Sequence, residues 1–113
     1  MSDSINITGY HAHVYFDADG VEAATALCED ARERFGIAMG RVHQRPVGPH
    51  PRWSCQLAFD ANRFAEVVPW LVMHRGALDV LVHTESGDTI RDHTQGAMWL
   101  GNSHTLNLEK LTD

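Results

Sequence analysis

Histidine is the residue type whose positions in this chain suggest chemistry. The 113 residues include eight histidines, and neutral imidazole is both a common ligand for transition metals and a proton carrier near neutral pH. Five of them lie in distinctive surroundings, namely a His-x-His pair, a proline-rich block, the end of an apolar run and an acidic segment: His11, His13, His50, His83 and His93. If the fold brings these segments together, the sequence predicts a metal or acid–base site.

The other three histidines lack such surroundings: they are His43, His74 and His104. A single histidine on a strand or helix is usually a surface residue or a hydrogen-bonded one, so we predict ordinary structural roles for these three. The two cysteines, Cys28 and Cys55, are too far apart for a Cys-x-x-Cys motif. We expect them to be reduced thiols packed in the core.

The composition is that of one ordinary folded domain spanning residues 1–113, with 43% hydrophobic and 21% charged residues. The formal net charge is −6 and no stretch is rich in Lys or Arg, which argues against nucleic-acid or anionic-membrane binding. No apolar run approaches the roughly 20 residues that cross a bilayer. Because residues 1–4 lack the basic start of a signal peptide, we expect a cytoplasmic protein.

Hydrophobic periodicity predicts the element order β-α-β-β-α-β. Strands are expected at 10–16, 37–45, 53–59 and 78–83, and helices at 21–35 and 62–74. This order is typical of a ferredoxin-like α+β sandwich with one antiparallel sheet, strand order 4-1-3-2, and both helices on one face. We expect an irregular C-terminal extension, with a short helix near 94–98 and an extended tail near 105–108.

The predicted sheet brings several histidines to its open face. In the first strand, His11, His13 and Tyr15 alternate with apolar residues that face the helices. The fourth strand runs antiparallel to the first and is expected to place His83 beside the His-x-His pair. The third strand is expected to run parallel to the first, so that His50, just before it, lies at the same end.

An open face that carries apolar residues must be covered. Leu81, Trp99 and Leu100 are expected to contribute to it, and His93 lies within reach of its histidines. We expect either the irregular C-terminal third or a second subunit to cover this face. Ferredoxin-like sheets often pair in this way, so a homodimer is predicted.

Four blocks of the sequence resemble the DOPA 4,5-dioxygenase family. They are Tyr-His-Ala-His-Val-Tyr-Phe at 10–16, Pro-Val-Gly-Pro-His-Pro at 46–51, His-Thr-Glu-Ser-Gly-Asp at 83–88 with Asp-His at 92–93, and Trp-Leu-Gly at 99–101. The likeness runs from about residue 10 to about residue 111. Three positions depart from the family pattern: Thr84 stands where proline is frequent, Ser86 where threonine is frequent, and His104 where proline is expected.

The resemblance implies a small, often dimeric ferredoxin-like enzyme. It implies non-haem Fe(II) as the cofactor, O2 as the co-substrate, and extradiol cleavage of a catechol such as DOPA, between positions 4 and 5, to a semialdehyde. The family's histidines match His11, His13, His50, His83 and His93 by position. The departures concern loop residues, so they put the substrate preference in question more than the metal.

The chemistry requires an iron with open coordination positions and a residue that moves protons. We predict that three of His11, His13, His50 and His83 bind the metal. Asp88 is the first candidate for an additional carboxylate ligand, and Asp79 is the second. The histidine left over, or His93, is the acid–base residue, so the catalytic candidates are His13, His50 and His93. Asp92 is expected either to orient a ring or to cap a turn.

Three further residues are candidates for substrate contact: Tyr15, Arg52 and Arg75. Tyr15 is expected to line the pocket because it shares the histidine face of the first strand. The two arginines are candidates for binding a substrate carboxylate, because guanidinium groups form paired hydrogen bonds with carboxylates.

Three other functions fit a chain of this kind. One is a non-catalytic domain that binds a small molecule or a metal, since ferredoxin-like folds have many functions. Another is a zinc hydrolase or a structural zinc site, although structural zinc sites are usually rich in cysteine. The third is an oxygenase without a cofactor, which would keep its activity in the presence of a chelator.

Overall fold

Five strands and three α-helices are present in the computed structural model, which describes residues 5–111. In chain order they are β1 (Gly9–Phe16), α1 (Val21–Phe35), β2 (Ala38–His43), β3 (Trp53–Asp60), α2 (Phe64–His74), β4 (Asp79–Glu85), α3 (Thr89–Asp92) and β5 (Ala97–Leu100). The strands form one sheet in the order β2-β3-β1-β4-β5, and all neighbouring pairs are antiparallel. The predicted α+β class is confirmed.

The sheet is wider than predicted. Strands β1 to β4 lie in the expected order, which is 4-1-3-2 when read from β4. A fifth strand, β5, lies beyond β4 and forms the edge of the sheet. The helix predicted near residues 94–98 is therefore wrong, because 97–100 pair with 80–83 of β4. The short helix lies earlier, at α3, where the Asp88 side chain accepts a hydrogen bond from the Arg91 backbone nitrogen and so caps its start.

The direction predicted for the third strand is also wrong. β3 runs antiparallel to β1, and its first residue, Trp53, pairs with Phe16 at the end of β1. The reason is topological. β1 and β2 run the same way on either side of β3, and β3 pairs antiparallel with both. Strand order alone therefore places the start of β3 at the opposite end of β1 from His11.

The hydrophobic core lies between the sheet and the helices α1 and α2. As predicted, Ala12, Val14 and Phe16 of β1 face the helices and are buried. They pack with alternate residues of β3 and β4 and with one side of each helix: Ala24, Leu27, Cys28, Ala31, Cys55, Leu57, Phe59, Val67, Val68, Leu71, Val80 and Val82. Both cysteines are free and buried, which agrees with the prediction of packed thiols. This core fixes the opposite face of β1 as the histidine face.

The chain itself covers much of that opposite face. The loop before β3 turns back at Gly48, whose φ of 53° lies in the left-handed region that glycine adopts without strain. The segment after β5 docks on this loop, since the backbone nitrogen of Asn107 donates to the carbonyl oxygen of Pro49 at 2.8 Å. Tyr15 and Leu81 on this face are 2% and 0% exposed. The expected cover by the C-terminal third is present, and the homodimer stays a prediction.

Strand β2 forms one edge of the sheet and is irregular. Met39 pairs with Leu57 and Val42 with Cys55, so two residues, Gly40 and Arg41, lie opposite one residue of β3. This is a β-bulge, an extra residue that bends and twists an edge strand. Across residues 5–111, we find no helix with the length and apolar character needed to cross a membrane.

Candidate active site

Three histidines on two neighbouring strands form a group that could hold a metal ion. The ring nitrogens of His11, His13 and His83 that would bind it all lie within 4.8 Å of one another. His11 and His83 are direct partners across the β1–β4 pair, and His13 follows two residues later on the same face of β1. The His-x-His spacing therefore places two rings side by side, and the antiparallel register adds the third.

The ring of His83 is oriented for metal binding. Its Nδ1 atom lies 2.9 Å from the carbonyl oxygen of Thr84. Because a carbonyl oxygen only accepts hydrogen bonds, Nδ1 carries the hydrogen and Nε2 of the neutral ring carries the lone pair. A backbone acceptor on the second nitrogen is typical of metal-binding histidines, since it fixes the ring and its tautomer.

The separation of two ring nitrogens fits an ion between them. The Nε2 atoms of His13 and His83 lie 3.0 Å apart. Two neighbouring nitrogen ligands of an octahedral ion, each at about 2.1 Å, are separated by about 3 Å. The two atoms are therefore close enough to bind one divalent ion, and all-nitrogen ligands suit iron, copper, nickel or zinc.

His50 joins this group by a route that strand order did not predict. It arrives on the turn at Gly48, which folds the proline-rich block back over the open face, and the backbone nitrogen of His50 donates to the carbonyl oxygen of Val47 at 3.0 Å. Its ring centre lies 4.1 Å from that of His13. Its Nδ1 atom lies 2.7 Å from the hydroxyl oxygen of Tyr15. The expected convergence of His50 is therefore present, although the parallel strand on which it was argued is not.

His93 approaches the group from the opposite side, just after α3. Its ring centre lies 4.2 Å from that of His83. Its Nδ1 atom lies 2.8 Å from the carbonyl oxygen of Thr89, one turn earlier in the chain. His50 and His93 thus flank the three-histidine group, and we call all five together the histidine cluster.

A buried carboxylate holds α3, and with it His93, against the sheet. Asp92 is 3% exposed and accepts hydrogen bonds from the hydroxyl groups of Thr84 and Ser86, each at 2.6 Å, and from the backbone nitrogen of Ser86. Burial opposes ionisation of Asp92, but these hydrogen bonds lower its pKa below the ordinary value. Two of the three positions that depart from the family pattern, 84 and 86, therefore supply the donors for this anchor.

Three members of the histidine cluster, His13, His50 and His83, are held in the neutral state. Burial, and then repulsion from the neighbouring histidines, lowers the pKa of His50 to about 4. Burial likewise lowers the pKa of His83 to about 4 and lowers the pKa of His13 well below its usual range. At neutral pH these rings carry lone pairs, the form in which imidazole binds metals and accepts protons.

Sequence analysis missed one carboxylate beside the cluster, that of Glu85. Its two oxygens lie 3.5 Å from Nε2 of His11 and 3.7 Å from Nδ1 of His83. Glu85 follows His83 by two residues on the same strand, so strand parity was the signal that could have found it. Its carboxylate raises the pKa of His11, although burial is the larger effect and lowers the pKa overall.

The two carboxylates predicted as metal ligands lie elsewhere. Asp88 is exposed, caps α3 and pairs with Arg91, and it does not belong to the three-histidine group. Asp79 faces the open side of β4, but it accepts hydrogen bonds from His104 Nε2 at 2.8 Å and from the backbone nitrogen of Asn102 at 2.8 Å. Both carboxylates are thus already used to hold local structure.

The two arginines predicted for substrate binding lie in another part of the molecule. Arg52 pairs with Asp17 at 3.6 Å, and the guanidinium of Arg75 donates to the carbonyl oxygen of Leu78 at 3.0 Å. Both line a cavity of about 480 Å³. No member of the histidine cluster lines this cavity, although Tyr15, the hydrogen-bond partner of His50, does. Their role with a substrate carboxylate stays a prediction.

Three smaller cavities reach the cluster itself. One of about 350 Å³ is lined by His11 and Glu85. One of about 180 Å³ is lined by His13, His50 and His43, and one of about 250 Å³ by His93 and Trp99. The cavity lined by the two arginines is larger, but it lacks the histidines that could bind a metal and move protons. We therefore place the candidate active site at the histidine cluster.

Two of the three remaining histidines, His74 and His104, have structural partners. His74 donates from Nδ1 to the carbonyl oxygen of Trp70 at 2.8 Å and stacks on that ring. His104 donates to Asp79 and packs against Tyr15, with ring centres 5.2 Å apart. Both agree with the hydrogen-bonded role predicted for them.

The sequence profile of the Dopa 4,5-dioxygenase family matches residues 10–110, which include the whole histidine cluster. The chain belongs to the Dopa 4,5-dioxygenase family. The resemblance inferred from the four sequence blocks is therefore confirmed.

Individual relatives agree with this assignment. A DOPA 4,5-dioxygenase from Amanita muscaria is 34% identical over 114 residues, covering 93% of this chain and 50% of the relative. An uncharacterized 21.2 kDa protein from Botryotinia fuckeliana is 33% identical over 111 residues, covering 88% of this chain and 61% of the relative. The chain thus spans roughly half to three-fifths of the length of these two curated family members.

A solved structure matches over almost the whole chain. The crystal structure of a candidate dioxygenase from Nostoc punctiforme superposes with a TM-score of 0.82 and 44% sequence identity, covering 97% of this chain and 96% of that one. The two chains are therefore similar in fold over nearly their whole lengths.

Proposed function

We propose that this protein is a non-haem iron dioxygenase that opens the ring of a catechol such as DOPA beside its two hydroxyl groups, giving a semialdehyde. The observation that carries the proposal is the group formed by His11, His13 and His83, with ligand nitrogens within 4.8 Å of one another. Membership of a dioxygenase family supports O2 as the co-substrate and a small aromatic compound as the substrate.

The three strand histidines are the proposed ligands of Fe(II). Their lowered pKa values keep the rings neutral and able to bind. Bound there, Fe(II) would supply open positions at which the diol and O2 meet. Three ligands from two adjacent strands leave the side facing away from the sheet free for substrate.

The acid–base residue is proposed to be one of the other two members of the cluster. His50 and His93 lie on opposite sides of the ligand group, with ring centres 4.1 Å from His13 and 4.2 Å from His83. Opening the ring requires that a proton leave one hydroxyl of the diol and that a proton be returned later, and a histidine can do either. The cover formed by the Gly48 turn and the C-terminal segment would limit access of water.

Aerobic turnover after anaerobic loading with Fe(II) tests the proposal. The protein is incubated with a panel of catechols, and absorbance of a ring-opened product is followed together with O2 consumption. We expect activity that needs Fe(II) and disappears with a chelator. Catechol binding without O2 uptake would favour the non-catalytic binding domain, and unchanged activity in the presence of the chelator would favour an oxygenase without a cofactor.

A further inference from the structure

The hydrogen bonds of His50 and His93 place their ring hydrogens on different nitrogens. In His93, Nδ1 faces the carbonyl oxygen of Thr89 at 2.8 Å. Since a carbonyl oxygen only accepts, Nδ1 carries the hydrogen and Nε2 of the neutral ring carries the lone pair. His93 is therefore prepared to accept a proton at Nε2.

In His50 the same atom, Nδ1, faces a donor. It lies 2.7 Å from the hydroxyl of Tyr15, a residue that is 2% exposed. A buried hydroxyl requires an acceptor, and within residues 5–111 Nδ1 of His50 is the one hydrogen-bond partner of this hydroxyl. Tyr15 therefore donates to Nδ1, and neutral His50 must carry its hydrogen on Nε2.

Contacts with neighbouring residues fix the positions of both Tyr15 and His50. The Tyr15 ring packs against Trp99 and His104, with ring centres 5.6 Å and 5.2 Å away, and His104 is fixed by its bond to Asp79. The backbone next to His50 is fixed by the hydrogen bond between Asn107 and Pro49. The Tyr15 hydroxyl therefore has little freedom to turn away from the imidazole.

We propose that Tyr15 is a positioning residue that holds His50 as the tautomer with hydrogen on Nε2, so that His50 offers the site a hydrogen-bond donor and His93 offers it a proton acceptor. This inference rests on the proposed function and gives the two flanking histidines different roles. A proton passes from a hydroxyl of the diol to Nε2 of His93 and is later returned to an oxygen of the opened ring, while the N–H of His50 donates a hydrogen bond to the oxygen on which negative charge develops. His50 keeps its hydrogen throughout, O2 is the oxidant, and both atoms of O2 enter the product.

Nitrogen NMR of metal-free protein with ¹⁵N-labelled histidine tests the tautomer directly, because protonated and unprotonated ring nitrogens have well-separated chemical shifts. His50 is assigned from the signals lost in His50→Gln. We expect hydrogen on Nε2 of His50 in the parent, a shift toward a mixture of tautomers in Tyr15→Phe, and unchanged His93 signals. A parent His50 with its hydrogen on Nδ1 would overturn the proposal.

The chain offers a matched control for this substitution. Tyr10 is the other of its two tyrosines, and it lies on the same strand but packs against Phe59 and Phe64. Tyr10→Phe should leave the His50 signals and the kinetics unchanged. A His50 spectrum that changes equally in both variants would mean that the effect is not specific to the Tyr15 hydroxyl and would contradict the proposal.

Kinetics of the iron-loaded enzyme supply the second measurement. Tyr15→Phe should lower kcat by at least about tenfold, with iron content and KM close to those of the parent, because a hydrogen bond to charge that develops during the reaction acts in the transition state. A parental kcat in Tyr15→Phe would overturn the donor role of His50. If the parent opens no catechol at all, the proposed function fails, whereas the NMR result still decides whether Tyr15 sets the tautomer.

Discussion

Histidine rings in the cluster use one nitrogen to fix their position and leave the other available. Nδ1 of His83 binds the carbonyl oxygen of Thr84, Nδ1 of His93 that of Thr89, and Nδ1 of His50 the hydroxyl of Tyr15. Each ring therefore has a defined tautomer before any ligand binds. Such preorganisation lowers the cost of placing a metal or a substrate, because the rings need not reorient.

Removing a proposed ligand should remove the metal. His11→Ala, His13→Ala and His83→Ala should each lower iron affinity by at least about tenfold, since loss of even an outer partner of a ligand has an effect of that size. Iron content after anaerobic loading and gel filtration measures this. His74→Ala is the control, because His74 stacks on Trp70 away from the cluster. Iron binding that survives all three changes would contradict the assignment.

Replacing Asp92 or Asp88 with asparagine should change the stability of the protein by very different amounts. Asp92→Asn places an NH2 group against the donors of Thr84 and Ser86, so we expect a loss of about 1–3 kcal/mol in the free energy of unfolding. Asp88→Asn keeps a good helix cap and should change it by less than about 0.5 kcal/mol. Urea unfolding measures both.

The same pair of variants tests the ligand role predicted for Asp88. Because the Asp88 carboxylate caps α3 and is exposed, we expect Asp88→Asn to bind as much iron as the parent. A clear drop in iron content would restore Asp88 as a ligand. Asp92→Asn should bind iron but lose activity, since His93 depends on α3 for its position.

At the scale of secondary-structure elements, local sequence pattern predicted the parts of the fold that repeat over several residues. Alternation in β1 correctly separated the core face from the histidine face, and helical spacing gave α1 with its exact bounds. Strand direction and β5 were not predictable in this way. β5 is four residues long and is a strand because it pairs with β4. Such pairing produces no hydrophobic periodicity in so short a stretch of sequence.

The site shows the same division between local pattern and tertiary contact. Parity and register placed His11, His13 and His83 together, and the same parity extended by two residues would have included Glu85. The position of His50 depends on a turn that folds over the sheet, which no strand argument contains. The separate roles of His50 and His93 depend on hydrogen-bond partners that only the structure identifies.

The C-terminal segment, residues 101–111, is irregular apart from a single 3-10 turn at Leu108–Lys110, and its docking depends on a few contacts. His104→Ala removes the 2.8 Å bond to Asp79 and the packing on Tyr15, so we expect a loss of about 1–3 kcal/mol in the free energy of unfolding. Thr105→Ala, at the exposed neighbouring position, should cost less than about 0.5 kcal/mol. Urea unfolding of the two variants checks this, and equal values would mean that the segment contributes little to stability.

At the scale of the whole molecule, the buried histidines make stability depend on pH. The pKa of His50 and of His83 is about 4 in the folded protein, against about 6.5 for an unfolded chain. The unfolded state therefore binds protons more readily. The stability that these residues contribute is complete above about pH 6.5 and is lost as the pH falls toward about 4.

Urea unfolding of the metal-free protein between about pH 7.5 and about pH 4.5 measures this dependence. Each of the two histidines should add up to about 1.4 kcal/mol per pH unit to the slope inside that window. His50→Gln should have a shallower slope than the parent, because glutamine does not titrate. Identical slopes for the two proteins would show that His50 titrates equally in the folded and unfolded states.

The bulge in β2 hinders edge-to-edge pairing between copies of this protein. A straight edge strand offers unpaired backbone groups with which another chain can pair, and such pairing leads to aggregation. In β2 the extra residue between Met39 and Val42 interrupts that row, and Arg41 adds an exposed charge to it. Deleting Gly40 would leave one residue opposite Gln56 and a regular edge. We expect the deletion variant to form more aggregate than the parent on warming, as measured by light scattering.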